Sequence, residues 1–534
     1  MASRMTPRRA EILFCGGLVL ALVLLQSVGI ARPFLRQHES VGAEFGKHAR
    51  NHLKFGLGTT RGLRLDISGP RLEAYERHQD RYYSNHPPLP ALLLAGTFAV
   101  FGISEAVFRS FLIAMSVLAL LIFRRVAGRV LRPPYDRVAT ACFAFLPMFV
   151  FYSIVTCLQV VALIGVLGSF LFYLRWRDTG RAREYLGIVA SLFIACYSSW
   201  EGYYAAPALV VAHLWSRRPG RGAVLGLLGV NLAIFGLYLL HLWAADPERL
   251  APIRSLLTAA AARSSVQAPP LLGYAFGELR ELALMFTLPV LGLAGFWIVS
   301  LFRGTREESD GLVAGSAFLG AHEIVFAKLA SEHEYFTYAL VVFAALAAAA
   351  GLSRLAERLR SRSPRTALIV SGLLVAAFIG QAAWMMPRRL CREGGYEFCY
   401  RLGLAIREVV PPEGKVFVLT DNIPFYTPFY GDRYTLWYDA RNRLLMAENT
   451  GPRRADVSEE EVLRLLRDNP DGLDWAVTAE KEITVPKVPW LQRLDDRQLE
   501  SFGVAIGRTA RRDLLEQRCG PPREAGGFLF WKLR

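Results

Sequence analysis

Cysteine is scarce, seven in 534 residues, too few and too scattered for a disulfide scaffold. Charge is scarce too. Asp, Glu, Lys and Arg make up 20% of the chain, a thinner polar skin than a soluble protein of this length needs. There is no P-loop, no G-x-S-x-G, no dinucleotide fingerprint and no metal-ligand spacing. Nor does any basic stripe interleave with aromatics, as nucleic-acid binding would require. Internal repeats and low-complexity tracts are missing as well. What is abundant is apolar: 53% of residues, with a mean hydropathy of +0.27. The 33 Phe, 20 Tyr and 10 Trp are too costly to leave in water for a disordered chain. A polytopic membrane protein remains.

A bilayer core takes roughly 20 apolar helical residues, sometimes about 17. Eleven segments meet that length or come close: 12–30, 106–123, 138–156, 159–174, 185–199, 201–216, 222–243, 282–302, 311–329, 336–352 and 366–385. Residues 12–30 are long for a signal peptide, and no small-x-small cleavage site follows before Arg32-Pro33, so an uncleaved first helix is expected. The polar segments 1–11, 124–137, 175–184, 217–221, 303–310 and 353–365 hold 22 basic residues, all Arg, against 8 acidic ones. They carry +14 of the net +16. The positive-inside rule puts these loops and the N-terminus in the cytoplasm; eleven spans then leave the C-terminus outside.

Three stretches fall on the far side: 31–105, 244–281 and 387–534. The apolar run 89–102 is short for a span and reads as a helix along the outer membrane surface, started by Pro87-Pro88. Domain boundaries follow: a membrane domain over 1–386 with outer loops 31–105 and 244–281, and a small α/β domain over 387–534. In the latter a helix is expected over 399–409 and a buried strand over Lys415–Thr420. Further strands are expected at Arg433–Tyr438, Asp474–Thr478 and Phe528–Leu533. Ser458-Glu-Glu-Glu461 is a capping box opening a helix to Arg467. Cys391 and Cys399 are candidates to pair, with Cys519 as the other option.

Transporters usually place ionisable residues mid-membrane. Here they gather at the outer ends of spans and in the first outer loop, which points to a site at the outer interface. The candidates are Glu39, Glu44 and Asp66; Tyr83 and His86 within Tyr82-Tyr-Ser-Asn-His-Pro-Pro88; Arg109; Glu201; Arg254 and Arg263; and Lys328, His333 and Glu334. Each has a plainer reading. Loop carboxylates are mostly solvated, His86 serves as a helix-start residue, Arg109 snorkels to headgroups, and Lys328 and His333 anchor a turn at the interface.

Their order along the chain carries more than any one of them. His38-Glu39 is followed by Ala49-Arg-Asn-His-Leu-Lys-Phe-Gly-Leu57. Next come Tyr82-Tyr-Ser-Asn-His-Pro-Pro-Leu89, the surface helix, and Arg109 opening a span. This arrangement resembles the GT-C superfamily of membrane glycosyltransferases, in the branch of the protein O-mannosyltransferases and the lipid A aminoarabinose transferase. The likeness runs over about 31–355 in architecture, with specific motifs at 38–57 and 82–109. It implies a general-base acid at Glu39, lipid-phosphate contacts at His86 and Arg109, and a gating loop over 244–281 contributing Arg254 or Arg263. Glu332-His-Glu-Tyr335 resembles a His-containing turn of such proteins. Two departures stand out. Glu replaces the usual Asp, and Gln159 stands roughly where a second acid is expected, which puts a two-acid or metal-dependent mechanism in doubt.

The implied activity is inverting transfer of a sugar from a polyprenyl-phosphate donor to a lipid, glycan or protein acceptor, on the periplasmic face of a bacterial inner membrane. The chemistry agrees: nucleotide-sugars are cytosolic and no nucleotide motif is present, so an outward-facing site needs a membrane-borne donor. The cofactor is open, since the residues neither name a divalent metal nor exclude one. Competing classes are a transporter or flippase of a lipid-linked glycan, and an inactive GT-C-like assembly partner.

Overall fold

The computed structural model describes residues 6–36, 38–70, 82–217, 219–246, 250, 252–254, 256–257, 260, 271–303, 307, 310–326, 333–391, 397–419, 427–439, 444–447, 452–454, 457–469, 472–479 and 504–533. The N-terminal helices are α1 (Pro7–Gln26), α2 (Ser40–Thr60), α3 (Leu89–Phe101) and α4 (Glu105–Val130). Next are α5 (Tyr135–Phe145), α6 (Pro147–Tyr152), α7 (Cys157–Thr179) and α8 (Ala182–Cys196). A 3-10 turn at Trp200–Tyr204 leads into α9 (Ala205–Trp215) and α10 (Arg221–Ala245). Then come α11 (Leu271–Met285), α12 (Leu288–Arg303), α13 (Asp310–Ser316) and α14 (Ala321–Val325). A 3-10 segment, Ala317–Gly320, separates α13 from α14, and another, Glu334–Leu340, opens α15 (Val341–Arg360), which turns into α16 (Pro364–Leu390).

The ends of these helices are written locally. Ser104 Oγ accepts the Val107 N–H at 3.2 Å, with Glu105 in the first turn of α4 and Arg129 in its last. Pro364 stands in the first turn of α16, whose Ser363 cap accepts the Thr366 N–H at 3.3 Å.

Among the described residues, six helices can cross a bilayer by length and composition: α1, α4, α7, α10, the 334–360 segment ending in α15, and α16. The pair α11–α12 adds a seventh if its two arms, bent by 108°, count as one span. All eleven expected segments overlap helices, yet 138–156, 185–199, 201–216 and 311–329 are too short or too broken to meet the same measure. A window average blurs such breaks: Pro147 restarts the chain after α5, and 3-10 turns interrupt the others.

The chain divides into two compact units. The first comprises Met1–Ala31, Ser84–Thr97 and Ser104–Arg392. Its interior relies on backbones in close approach. A methyl group on Gly165 or Gly202 would overlap the Ala195 backbone, and one on Gly351 would overlap the Leu293 carbonyl. Without a hydrophobic drive between helices in lipid, small residues at the contact let dispersion hold them. This packing fixes the Trp200–Tyr204 turn, and with it Glu201, against α7 and α8.

The second unit comprises Arg32–Tyr83, Phe98–Ile103 and Glu393–Arg534. It contains α2, α17 (Glu397–Val409), α18 (Thr427–Gly431), α19 (Glu459–Asp468) and α20 (Val504–Cys519). Its strands are β1 (Lys415–Val418), β2 (Tyr434–Asp439), β3 (Leu444–Ala447), β4 (Pro452–Arg454), β5 (Trp475–Ala479), β6 (Arg523–Ala525) and β7 (Phe528–Lys532). They form one sheet in the order β4-β3-β2-β1-β5-β7-β6. β1 pairs in parallel with β2 and β5, and the remaining pairs are antiparallel. Leu402, Ile406 and Val409 of α17 pack on Val416, Val418, Trp437, Val477, Phe528 and Phe530. The Ser458 capping box forms, its Oγ accepting the Glu461 N–H at 3.2 Å. β3, β4 and β6 were not expected, being only three or four residues long with no clean alternation. All seven cysteines are free thiols, so the pairing considered among Cys391, Cys399 and Cys519 is not made. Cys399 is buried on the inner face of α17 while Cys391 is exposed.

Candidate active site

In the second unit the first acid of the loop stands at the start of α2. His38 takes a left-handed φ of 63°, turning the chain sharply just before Glu39 caps the helix. Glu39 Oε2 accepts the Arg36 N–H at 2.8 Å, and Oε1 lies 3.9 Å from the Arg36 guanidinium. The carboxylate is 1% exposed. It points inward, toward a cation.

Further along α2, one polar face turns inward. Lys47, Asn51 and Lys54 stand at i, i+4 and i+7, with His48 and Arg50 beside them. Lys47 Nζ donates to Asp66 Oδ1, and His48 Nε2 lies 3.8 Å from the same oxygen. Asn51 Nδ2 donates to the carbonyls of Leu65 at 2.9 Å and Ile67 at 2.8 Å, bracketing Asp66. Arg64 lies over the Tyr83 ring at 4.4 Å and over Phe45 at 4.9 Å. Tyr83 also donates its N–H to the Arg64 carbonyl at 2.8 Å and rests 5.3 Å from the His48 ring. Glu44 is half-buried on α2.

Burial alone would raise the Asp66 carboxyl, but the Lys47 charge and the His48 contact outweigh it and hold it below the usual carboxylate range. Burial pushes His48 down to about 3, against the pull of Asp66. His52, buried beside the Arg64 charge, falls to about 4. These shifts fix the sign of a pH effect. As pH drops below the ordinary 6.5, the unfolded chain takes up protons that native His48 and His52 refuse, so stability falls toward pH 4. Between pH 6.5 and 5 the loss from His48 is about 2 kcal/mol. Thermal unfolding of the solubilised protein at the two pH values, with His48→Gln alongside, checks this. The variant's stability should depend less on pH.

In the first unit the candidates separate into groups. His86 is half-buried, and the carbonyl of its neighbour Asn85 accepts Trp200 Nε1 at 2.6 Å. Arg109 is fully buried, donating to the carbonyls of Ile30 at 2.8 Å and Gly29 at 3.4 Å. It therefore ties down the turn after α1 instead of snorkelling outward. Glu201 is 3% exposed and takes a hydrogen bond from Gln159, the residue standing where an acid was expected. Glu334 is held by Arg389 at 2.7 and 3.3 Å and by the Tyr152 hydroxyl, and Glu281 lies 3.3 Å from the same guanidinium. His333 stacks on Tyr335 at 5.2 Å between ring centroids. The Arg254 side chain is exposed. Arg263 and Lys328 lie outside the described residues. Among those described, no three His, Cys, Asp or Glu side chains gather as a metal ion would require.

Sequence reasoning passed over Lys47, His48, Arg64, Arg389 and Asp432. The 47–51–54 spacing of polar residues is a readable signal; Arg389, beside Arg388 at the end of α16, carries none of its own.

Residues 85–243 match the family model described as dolichyl-phosphate-mannose-protein mannosyltransferase. The chain also shares its fold with ArnT from Cupriavidus metallidurans bound to undecaprenyl phosphate. That match has a TM-score of 0.61 at 13% identity and covers 99% of each chain. The chain has the GT-C membrane fold. A second GT-C structure, the Archaeoglobus fulgidus oligosaccharyltransferase in its apo form, matches with a TM-score of 0.56 at 12% identity, over 88% of this chain and 70% of that one. The archaeal AglB from the same organism, in complex with an inhibitory peptide and a dolichol-phosphate, gives 0.55 at 11% identity, over 88% and 70%. No curated protein matches this chain in sequence.

Proposed function

We propose that this GT-C protein is an inverting glycosyltransferase that takes a sugar from a polyprenyl-phosphate donor at the outer face of a bacterial inner membrane. The observation that carries the reading is the buried Glu39 carboxylate at the head of α2, in a fold aligned over its whole length with a relative bound to undecaprenyl phosphate. In the proposed step an acceptor hydroxyl gives its proton to Glu39 as its oxygen bonds to the anomeric carbon. The bond from that carbon to the phosphate oxygen breaks, and polyprenyl phosphate leaves with the electron pair. Single displacement inverts the sugar. His86, Arg109, Tyr83, Arg254, Arg263, Lys328 and His333 are the proposed donor and substrate contacts, and losing one cation at the leaving phosphate costs roughly 3–4 kcal/mol of transition-state stabilisation.

The reading puts the N-terminus in the cytoplasm and residues 387–534 outside, with the four short or broken segments joining the membrane domain. The acceptor is a lipid, glycan or protein. A second reading, transport of a lipid-linked glycan, draws on the 108° break between α11 and α12. One comparison tests both. Mass spectrometry of envelope lipids and glycans, with and without the gene, should show a single acceptor losing one sugar mass, restored by wild-type protein. Identical products in the two strains, or accumulation of an intact lipid-linked glycan, would overturn transferase activity.

A further inference from the structure

Much of what fixes α2 comes from residues nearly four hundred positions away. Asp432 closes the turn between α18 and β2. It accepts Lys54 Nζ at 2.6 and 2.7 Å, stands 3.0 Å from Arg50 Nη2, and accepts the Gly69 N–H at 3.2 Å. Arg50 donates as well to the carbonyls of Phe429 at 2.7 Å and Pro428 at 3.1 Å. Gly46 faces the Phe429 ring so closely that a methyl group there would overlap it. Phe34, five residues before Glu39, donates its N–H to the Tyr430 hydroxyl at 2.8 Å.

Asp432 itself sits at a left-handed φ of 46°, a conformation non-glycine residues adopt rarely, so the turn carries strain that its contacts hold in place. Burial would raise its carboxyl, but Arg50 and Lys54 outweigh that and keep it charged. One carboxylate thus bonds two cations of α2 and a backbone amide of the segment following it. Its contacts fall at the C-terminal half of α2, and the Tyr430 contact falls just before the N-terminal end.

We propose that Asp432 is a positioning residue for the transfer reaction, clamping α2 so that Glu39 stands where the acceptor hydroxyl arrives; this rests on the role proposed for Glu39. The clamp gives the C-terminal region a part in catalysis without contact to the reacting atoms. A displacement of about 1 Å in a reacting group is enough to cost 10²-fold in rate.

The test uses full-length Asp432→Asn in lipid nanodiscs, with polyprenyl-phosphate sugars extracted from the host membrane as donor. Turnover should fall about 10- to 100-fold while KM for the donor lipid stays within about twofold. Amide hydrogen exchange over residues 40–60 should rise in the same sample. Lys54→Met, which leaves the Arg50 contact, gives a smaller drop of the same pattern and carries the test where the first variant does not accumulate. Lys54→Met combined with Asp432→Asn should be no slower than Asp432→Asn alone. Looser exchange with unchanged turnover per folded molecule would overturn the positioning role, as would slower turnover with unchanged exchange. Wild-type protein that transfers nothing would overturn the role of Glu39 instead, and the exchange measurement would still judge the clamp.

Discussion

On the proposed mechanism, Glu39→Gln is expected to give a folded protein that transfers sugar about 10²- to 10⁴-fold more slowly than wild type. The amide keeps the size of the carboxylate and an oxygen to accept the Arg36 N–H, now made at 2.8 Å, so the start of α2 is preserved. What disappears is the carboxylate proposed to accept the proton of the attacking hydroxyl. Turnover on the extracted donor pool, measured beside a melting curve, separates the two contributions. A normal melting temperature with collapsed turnover is the expected outcome. Turnover within a factor of two of wild type would take Glu39 out of the mechanism.

Asp66→Asn is expected to act through stability, lowering it by about 3–5 kcal/mol. Both members of its ion pair are almost fully buried, Lys47 at 2% and Asp66 at 1% exposure. Removing the negative charge leaves the Lys47 ammonium in a low-dielectric interior with Arg64 nearby. The penalty is the desolvation of a stranded ion, much larger than the net worth of the pair. The double variant Lys47→Met with Asp66→Asn should therefore recover much of the loss, since no ion then remains unpaired. Chemical unfolding of the three variants in detergent checks the cycle. Equal destabilisation by the single and the double variant would contradict the ion-pair account.

These two acids show how far the sequence could be read. Hydropathy and the arginine loops delivered the helical membrane class, because lipid enforces long apolar runs whatever their tertiary setting. It did not resolve 138–156, where Pro147 starts a new helix after α5. The strands at 415–418, 434–439 and 528–532 were legible as buried apolar runs. β3 and β6 owe their existence to pairing with β2 and β7, and β4 to pairing with β3. Within the site, Glu39 and Asp66 looked alike as loop carboxylates. Their different partners, Arg36 for one and Lys47 with His48 for the other, depend on the fold. Asp432 carried no local signal, since its partners come from a helix at the far end of the chain.

α7 has one more consequence, for biogenesis. Of the most apolar stretch of α7, 89% is buried within the protein, whereas in α1 and α16 the share is 17%. Much of what encloses it, from α8 to the 334–340 segment, is translated later. On leaving the ribosome α7 therefore meets acyl chains or the insertion machinery on faces that end against protein. Among the groups exposed in that interval is the Gln159 amide, whose partner Glu201 has yet to be synthesised. Nascent chains halted before Glu201 would leave that amide without this partner, a difference between an unfinished molecule and a complete one.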